Sequence, residues 1–258
     1  MRNVLTIAGR ELRSIFASPI AYVVLTGFLL LGGWFFFNLL ARFNLLVSMY
    51  SNFQGNAEAA QRLNVNEMVL GPLLHNLSVV LIILVPMITM RSFAEEKRAG
   101  TYELLLTSPV SIWEIVLGKF LGAAGFVTVM VALTLVYGAI LAAYGNPEVA
   151  IMASGYLGLW LLALSLVAIG LFASSLTENQ IIAAVTGLVL MMIFFVVGWA
   201  ADTAAEPLGA VLRYLSLTDH SSDLIRGVVD TKTLLYFASM IVGWMFLTQR
   251  SVESIRWR

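Results

Sequence analysis

Arg91, Glu95, Glu96, Lys97 and Arg98 make up the most charged run in a chain that is otherwise mostly apolar. Acidic and basic groups this close together suit polar contact with another protein. A solvated positive-inside anchor accounts for Lys97 and Arg98 but gains nothing from Glu95 and Glu96. Gly100 follows as a helix C-terminus, because glycine turns left-handed without steric cost. Thr101 suits the cap of a new helix, and Pro109 keeps that helix short. Tyr102, Glu103, Leu104, Leu105 and Leu106 are therefore expected to form one short helix. Ser111 and Glu114 then read as a capping box that starts a long helix. The result is a short, partly apolar helix between two longer ones, shaped to be gripped by a partner. Tyr102, Leu105 and Leu106 either fill a groove on that partner or lie against the lipid interface.

The groups needed for catalysis are missing. The chain has no cysteine, which removes disulfides, thiolate metal sites and cysteine nucleophiles. It carries no G-x-x-x-x-G-K-[ST] and so no P-loop of its own. The apolar segments are expected to hold no ionisable group within the membrane, Lys119 being counted with the charges at a span end. An ion-coupled transporter would need such groups. His75 is placed at an outer span end and His220 is read as a turn residue in an outer loop. No catalytic residue, metal ligand or bound cofactor is assigned to this chain.

With 60% hydrophobic and 12% charged residues, and a mean hydropathy of +0.90, the composition is that of a membrane protein; a soluble domain carries about 25% charged residues. A net charge of zero gives no reason to expect nucleic-acid binding. Arg10, Glu11 and Arg13 interrupt the N-terminal stretch, so no cleavable signal is read there. Instead Val4, Leu5, Ala8, Leu12, Ile15 and Phe16 form one helical face, with Arg2, Thr6, Arg10 and Arg13 opposite. This predicts an amphipathic interfacial helix whose Arg10 and Arg13 meet lipid phosphates. Ser18-Pro19 ends it.

Six apolar segments follow, near Ile20–Leu40, Leu73–Met90, Gly118–Tyr144, Gly155–Leu176, Ile181–Ala201 and Thr233–Gln249. The expected fold is an all-α polytopic membrane protein in one domain, with residues 1–17 as the interfacial helix, 20–249 as a six-span bundle and 250–258 as a cytoplasmic tail. Ten Lys and Arg near span ends on one side, against five on the other, put both termini and the Arg91–Glu114 stretch in the cytoplasm.

The outer segment from Arg42 to Pro72 is either an ordered cap or a flexible loop. The outer segment from Asp202 to Lys232 carries two short apolar helices, one over Leu208–Leu215 and one capped by Ser221 or Ser222. They either re-enter the membrane or lie at its surface. In the inner turn SSLTENQ, Thr177 and Gln180 read as a second capping box, and Glu178 is its only charge, a solvated cap residue or a partner contact. Gly118 and Gly122 favour close helix packing within the chain. Asn38, Asn76, Ser78, Thr128 and Thr134 either face a pathway or hydrogen-bond to neighbouring helices.

The run MRSFAEEKRAGTYELLLTSPVSIWEIVLGKFLGA resembles the hallmark segment of ABC-2 type permeases. RELRSIFASPIAYV, GLFASSLTENQ and SSDLIRGVVDTKTLLYF resemble the gliding-motility-associated (GldF-like) subgroup, so the likeness covers essentially the whole chain. The resemblance implies a membrane subunit of an ATP-binding-cassette exporter in the bacterial inner membrane. The Val4–Phe16 helix would be the connecting helix, Tyr102–Leu106 the coupling helix docked in an ATPase groove, and the helices near Leu208–Leu215 and Ser222–Val229 a re-entrant pair. It further implies two ATPase subunits carrying ATP and Mg, a second permease chain, identical or related, and in the subgroup an auxiliary extracytoplasmic protein. Expected ATPase contacts are Glu95, Glu96, Lys97, Arg98, Gly100, Thr101, Tyr102, Glu103, Leu105, Leu106 and Glu178. The alternatives are a subunit that transmits force to a periplasmic partner, and a membrane scaffold without a transport cycle.

Overall fold

The computed structural model describes residues 2–53, 64–101, 110–145 and 147–255. Every regular element among them is helical. The helix expected at the membrane interface is α1 (Arg2–Ala17), and the chain bends at Ser18 before α2 (Pro19–Phe53). A π-turn over Asn66–Leu70 leads into α3 (Gly71–Thr89), and α4 (Arg91–Arg98) follows. Then come α5 (Ile112–Tyr144), α6 (Val149–Ser175) and α7 (Gln180–Thr203). Two short helices, α8 (Leu208–Leu215) and α9 (Leu217–Ile225), precede α10 (Thr231–Ile255). Among the described residues, six helices are long and apolar enough to cross a membrane, as expected.

α6 is the post around which the others stand. Its most apolar window is 72% buried, against 28% in α2, α7 and α10, and α3, α5, α7, α9 and α10 all pack on it. A helix that is apolar on every face belongs at such a centre. The outer helices instead present large apolar side chains outwards, such as Trp34, Ile181 and Leu235, as lipid-facing or partner-facing helices do.

Several boundaries differ from expectation. α2 has 35 residues, about 52 Å at 1.5 Å per residue, whereas a bilayer core needs about 30 Å. Arg42 does not end it, because a charge interrupts an apolar pattern without breaking backbone hydrogen bonds. α10 likewise runs on through Arg250 and Glu253, an ion pair at 3.2 Å, so the first part of the expected tail is helix. α9 is capped by Ser216, whose hydroxyl accepts from Asp219 N, and not by Ser221 or Ser222. The helix begins earlier than expected and ends before Val228. His220 is therefore a helical residue, stacked on Tyr236 with ring centroids 3.9 Å apart. α7 is capped by Asn179, which accepts from Ile181 N and Ile182 N. Thr177 instead accepts from Asn179 N, so the expected Thr177–Gln180 box does not form.

The α8–α9 turn is buried against α7. Thr218 Oγ1 donates to Phe195 O at 3.2 Å, about 12 Å in from the end of α7 at 1.5 Å per residue. The two short helices thus fold back along the bundle and do not spread over its end.

Asn38, Ser78 and Thr134 donate to carbonyls of their own helices, at Trp34, Leu74 and Val131. The Thr128 side chain bridges helices, accepting from Trp160 Nε1 at 2.9 Å while donating to Ala124 O.

Candidate functional site: the charged end of the bundle

The charged run forms where α3 breaks. Pro86 has no N–H to give its helix, and after Met90 the chain restarts as α4. Ser174, near the end of α6, holds the break together. Its hydroxyl donates to Met90 O at 3.0 Å and accepts from Phe93 N and Ala94 N at 3.0 and 3.2 Å. Phe93 and Ala94 are fully buried beneath it.

α4 then stops as Gly100 predicts. Gly100 adopts φ +68°, Gly100 N bonds Lys97 O, and Thr101 N bonds Glu96 O. That pair of bonds is a Schellman turn. The Thr101 hydroxyl also points back, donating to Glu96 O at 3.3 Å. The expected Tyr102–Leu106 helix, with Tyr102, Glu103, Leu105 and Leu106, lies outside the described residues. Beyond it the Ser111–Glu114 capping box forms as expected and starts α5.

Lys119 corrects the expectation that the spans hold no ionisable group. It lies about two turns into α5 and is 1% exposed. Its ammonium sits 2.9 Å from Glu96 Oε1 and 3.4 Å from Glu11 Oε2. It also donates to Ser92 O at 2.6 Å and lies over the Phe93 ring. Stripping water from a lone ammonium costs several kcal/mol; two carboxylates and a carbonyl offset that here. Arg10 Nη2 reaches the same Glu96 Oε1 at 3.0 Å. Glu96 therefore joins α1, α4 and α5.

α1 itself is seated in a groove of α5. A Cβ at Gly118 would lie 2.6 Å from Ile7 Cβ, and one at Gly122 2.6 Å from Glu11 Cβ. The Gly118–Gly122 pair thus serves packing within the chain. The packed face of α1 keeps Val4, Ala8, Leu12, Ile15 and Phe16 as expected; Ile7 and Glu11 join it, and Leu5, 68% exposed, falls outside it.

Arg91 Nη1 donates to Ser18 Oγ at 2.8 Å and Arg91 Nε lies 3.4 Å from Glu95 Oε2, fastening α4 to the α1–α2 bend. Lys97 donates to Ser175 O, the carbonyl to which Ser251 of α10 also donates. Glu178, exposed in the α6–α7 turn, attracts Lys97 through space.

Of the expected contact residues, Glu95, Arg98, Gly100, Thr101 and Glu178 are exposed at this end, while Glu96 and Lys97 are half-buried and turned inwards. Arg10 and Arg13 are exposed on α1. Glu11, Ser18, Ser92, Lys119 and Ser174 were not anticipated. Glu11 lies four residues from both Ile7 and Ile15, but an acidic residue gives no apolar signal for a packed face. No three His, Asp or Glu among the described residues gather as a metal site.

The sequence pattern of the ABC-2 family transporter proteins matches residues 5–247, from the first turn of α1 into the last third of α10. The chain belongs to the ABC-2 family.

The family is one of transporter permeases, not of enzymes. This ABC-2 chain is also 35% identical over 108 residues to the probable multidrug ABC transporter permease YbhR of Escherichia coli K12, and to the same protein of strain O157:H7. The match covers 42% of this chain and 29% of the relative's length. These comparisons support an ABC transporter permease subunit and give no support to the narrower gliding-motility subgroup.

Proposed function

We propose that this permease subunit works in export, driven by a separate ATPase that docks on the α4 end. The observation that carries the proposal is the stitching of α4 to the bundle. Ser174 and Lys97 tie it to α6, Arg91 to the α1–α2 bend, and Glu96 to α1 and α5. A push on α4 or on the segment after Gly100 thus reaches four helices directly. ATP binding can bias the bundle only if the ATPase holds its two arrangements with different affinity.

The exposed Glu95, Arg98, Gly100, Thr101 and Glu178, with Tyr102, Glu103, Leu105 and Leu106, supply the docking surface; Glu96 and Lys97 hold it in place from behind. ATP and Mg belong to the partner. Two ATPases and a second permease chain complete the transporter in the bacterial inner membrane, with both termini cytoplasmic. The relative's multidrug name makes small amphipathic compounds the first substrates to assay.

Purification in mild detergent with the cell's own partners tests this. A P-loop ATPase should accompany the intact chain and be lost from Arg98→Glu/Tyr102→Ala. An ATPase retained by that variant moves the interface to α1; none in either sample favours a scaffold. A second reading is force transmission to an extracytoplasmic partner. It is favoured by the length of α2, which exceeds a bilayer core by about 20 Å.

A further inference from the structure

A cavity of about 300 Å³ opens between α1, the start of α2, the end of α3, α4 and α5. That is the lower end of the range for ligand sites, roughly 300–1,000 Å³. Arg10, Arg91 and Lys119 line it, and so do Glu11, Glu95 and Glu96. The two signs balance. An anion drawn by the arginines meets three carboxylates, and a cation meets three basic groups; a zwitterion matches both sets.

Two atoms here lack hydrogen-bond partners. Glu96 Oε2 is buried and accepts no hydrogen bond, and Arg91 Nε, also buried, makes none beyond its long 3.4 Å ion pair with Glu95 Oε2. Such groups are uncommon in folded proteins and call for a missing partner. A ligand with both N–H donors and anionic oxygens carries the group that complements each.

The remaining walls are apolar. Ile20, Ala21, Met87 and Ile88 form the side nearest the spans. Met87 continues a stripe through Ile83 and Val79, spaced four residues apart and 37%, 55% and 37% exposed. One exposed apolar face of α3 therefore runs into the charged cavity.

We propose that this cavity binds the headgroup of a phosphoethanolamine-type lipid, with its acyl chains along the Val79–Ile83–Met87 face. Arg91 and Arg10 take the phosphate, and Glu95 and Glu96 take the primary ammonium. A choline headgroup lacks the N–H donors and a glycerol headgroup lacks the cation. The lipid then fills the joint between α1 and α4, in the cytoplasmic leaflet under the orientation proposed above.

The test uses the full-length chain in detergent, titrated with dioleoyl-phosphatidylethanolamine, -phosphatidylcholine or -phosphatidylglycerol and read by native mass spectrometry. The ATPase is not needed, so failure here is separable from failure of the transport reading. One phosphatidylethanolamine per chain should bind about tenfold more tightly than either other lipid. Arg91→Gln/Glu95→Gln should erase that preference. Met87→Trp, which touches no ion pair, should weaken binding by blocking the apolar wall. Equal binding of the three lipids by the unmodified chain overturns the proposal even if the variants fail to fold. So does a preference unchanged in both variants. Soluble O-phosphoethanolamine that displaces the lipid at equal concentration overturns the lipid as the ligand.

Discussion

Lys119 Nζ and Glu96 Oε1 lie 2.9 Å apart, joining a membrane-spanning helix to the short helix that leads to the proposed docking segment. Glu96 Oε1 also receives Arg10, and Lys119 also faces Glu11. Removing the cation takes away the ion-pair partner of Glu11 and one of the two basic partners of Glu96. Lys119→Met should cost about 3–5 kcal/mol, seen as a lower thermal midpoint of the detergent-solubilised chain. Glu96→Gln keeps the Glu11 partner and should cost less. The double variant should be less damaged than the sum of the two. Strict additivity would mean the pair is not coupled.

Ser174 offers a sharper test of the α3–α4 break. Ser174→Ala leaves Phe93 N, Ala94 N and Met90 O without their partner, and each buried unsatisfied group costs about 1–3 kcal/mol. Ser165 is equally buried but bonds only its own helix, at Leu161 O. Ser165→Ala should lower the thermal midpoint far less. Equal losses would remove the special role of Ser174.

Gly118 and Gly122 make a steric prediction. A valine at Gly118 drives its side chain into Ile7, and overpacking of this kind costs about 1–3 kcal/mol. α1 should leave its groove, so trypsin should cut faster at Arg10 and Arg13 in Gly118→Val. Gly9, whose added Cβ meets nothing within 4 Å, should tolerate alanine with no change in cleavage.

Gly100→Ala strains the Schellman turn, since φ +68° costs a residue with a side chain about 1–2 kcal/mol. The turn aims the chain beyond Arg98. ATPase-stimulated transport should therefore fall severalfold in this variant, with little loss of expression or monodispersity. Unchanged coupling would show that the path after Gly100 does not depend on this turn.

Signals that depend only on neighbours in sequence were reliable. Six apolar runs, Pro19, Gly100 and the Ser111–Glu114 box each act through a few adjacent residues, so spans, bend, turn and cap could all be read directly. Where two local patterns competed, the choice needed the fold. Ser216, Ser221 and Ser222 are all plausible caps, and burial of the Ser216–Thr218 turn against Phe195 selects the first. Asn179 likewise displaces Thr177, because α7 starts at Gln180 and the side chain directly before it is the one that meets the N–H groups of Ile181 and Ile182.

The amphipathic pattern of α1 was legible, but the places of Leu5 and Glu11 on it were not. Counted on the chain, Leu5 belongs to the apolar face and Glu11 does not. Against α5 the glycines at 118 and 122 admit Ile7 and Glu11, and Lys119 gives the carboxylate a partner. Apolar periodicity specifies that a helix has a face. The facing surface decides which residues that face contains. A charge inside a membrane protein is tolerable only beside its counter-charge, and Glu11, Glu96 and Lys119, from three distant parts of the chain, meet only when the helices pack.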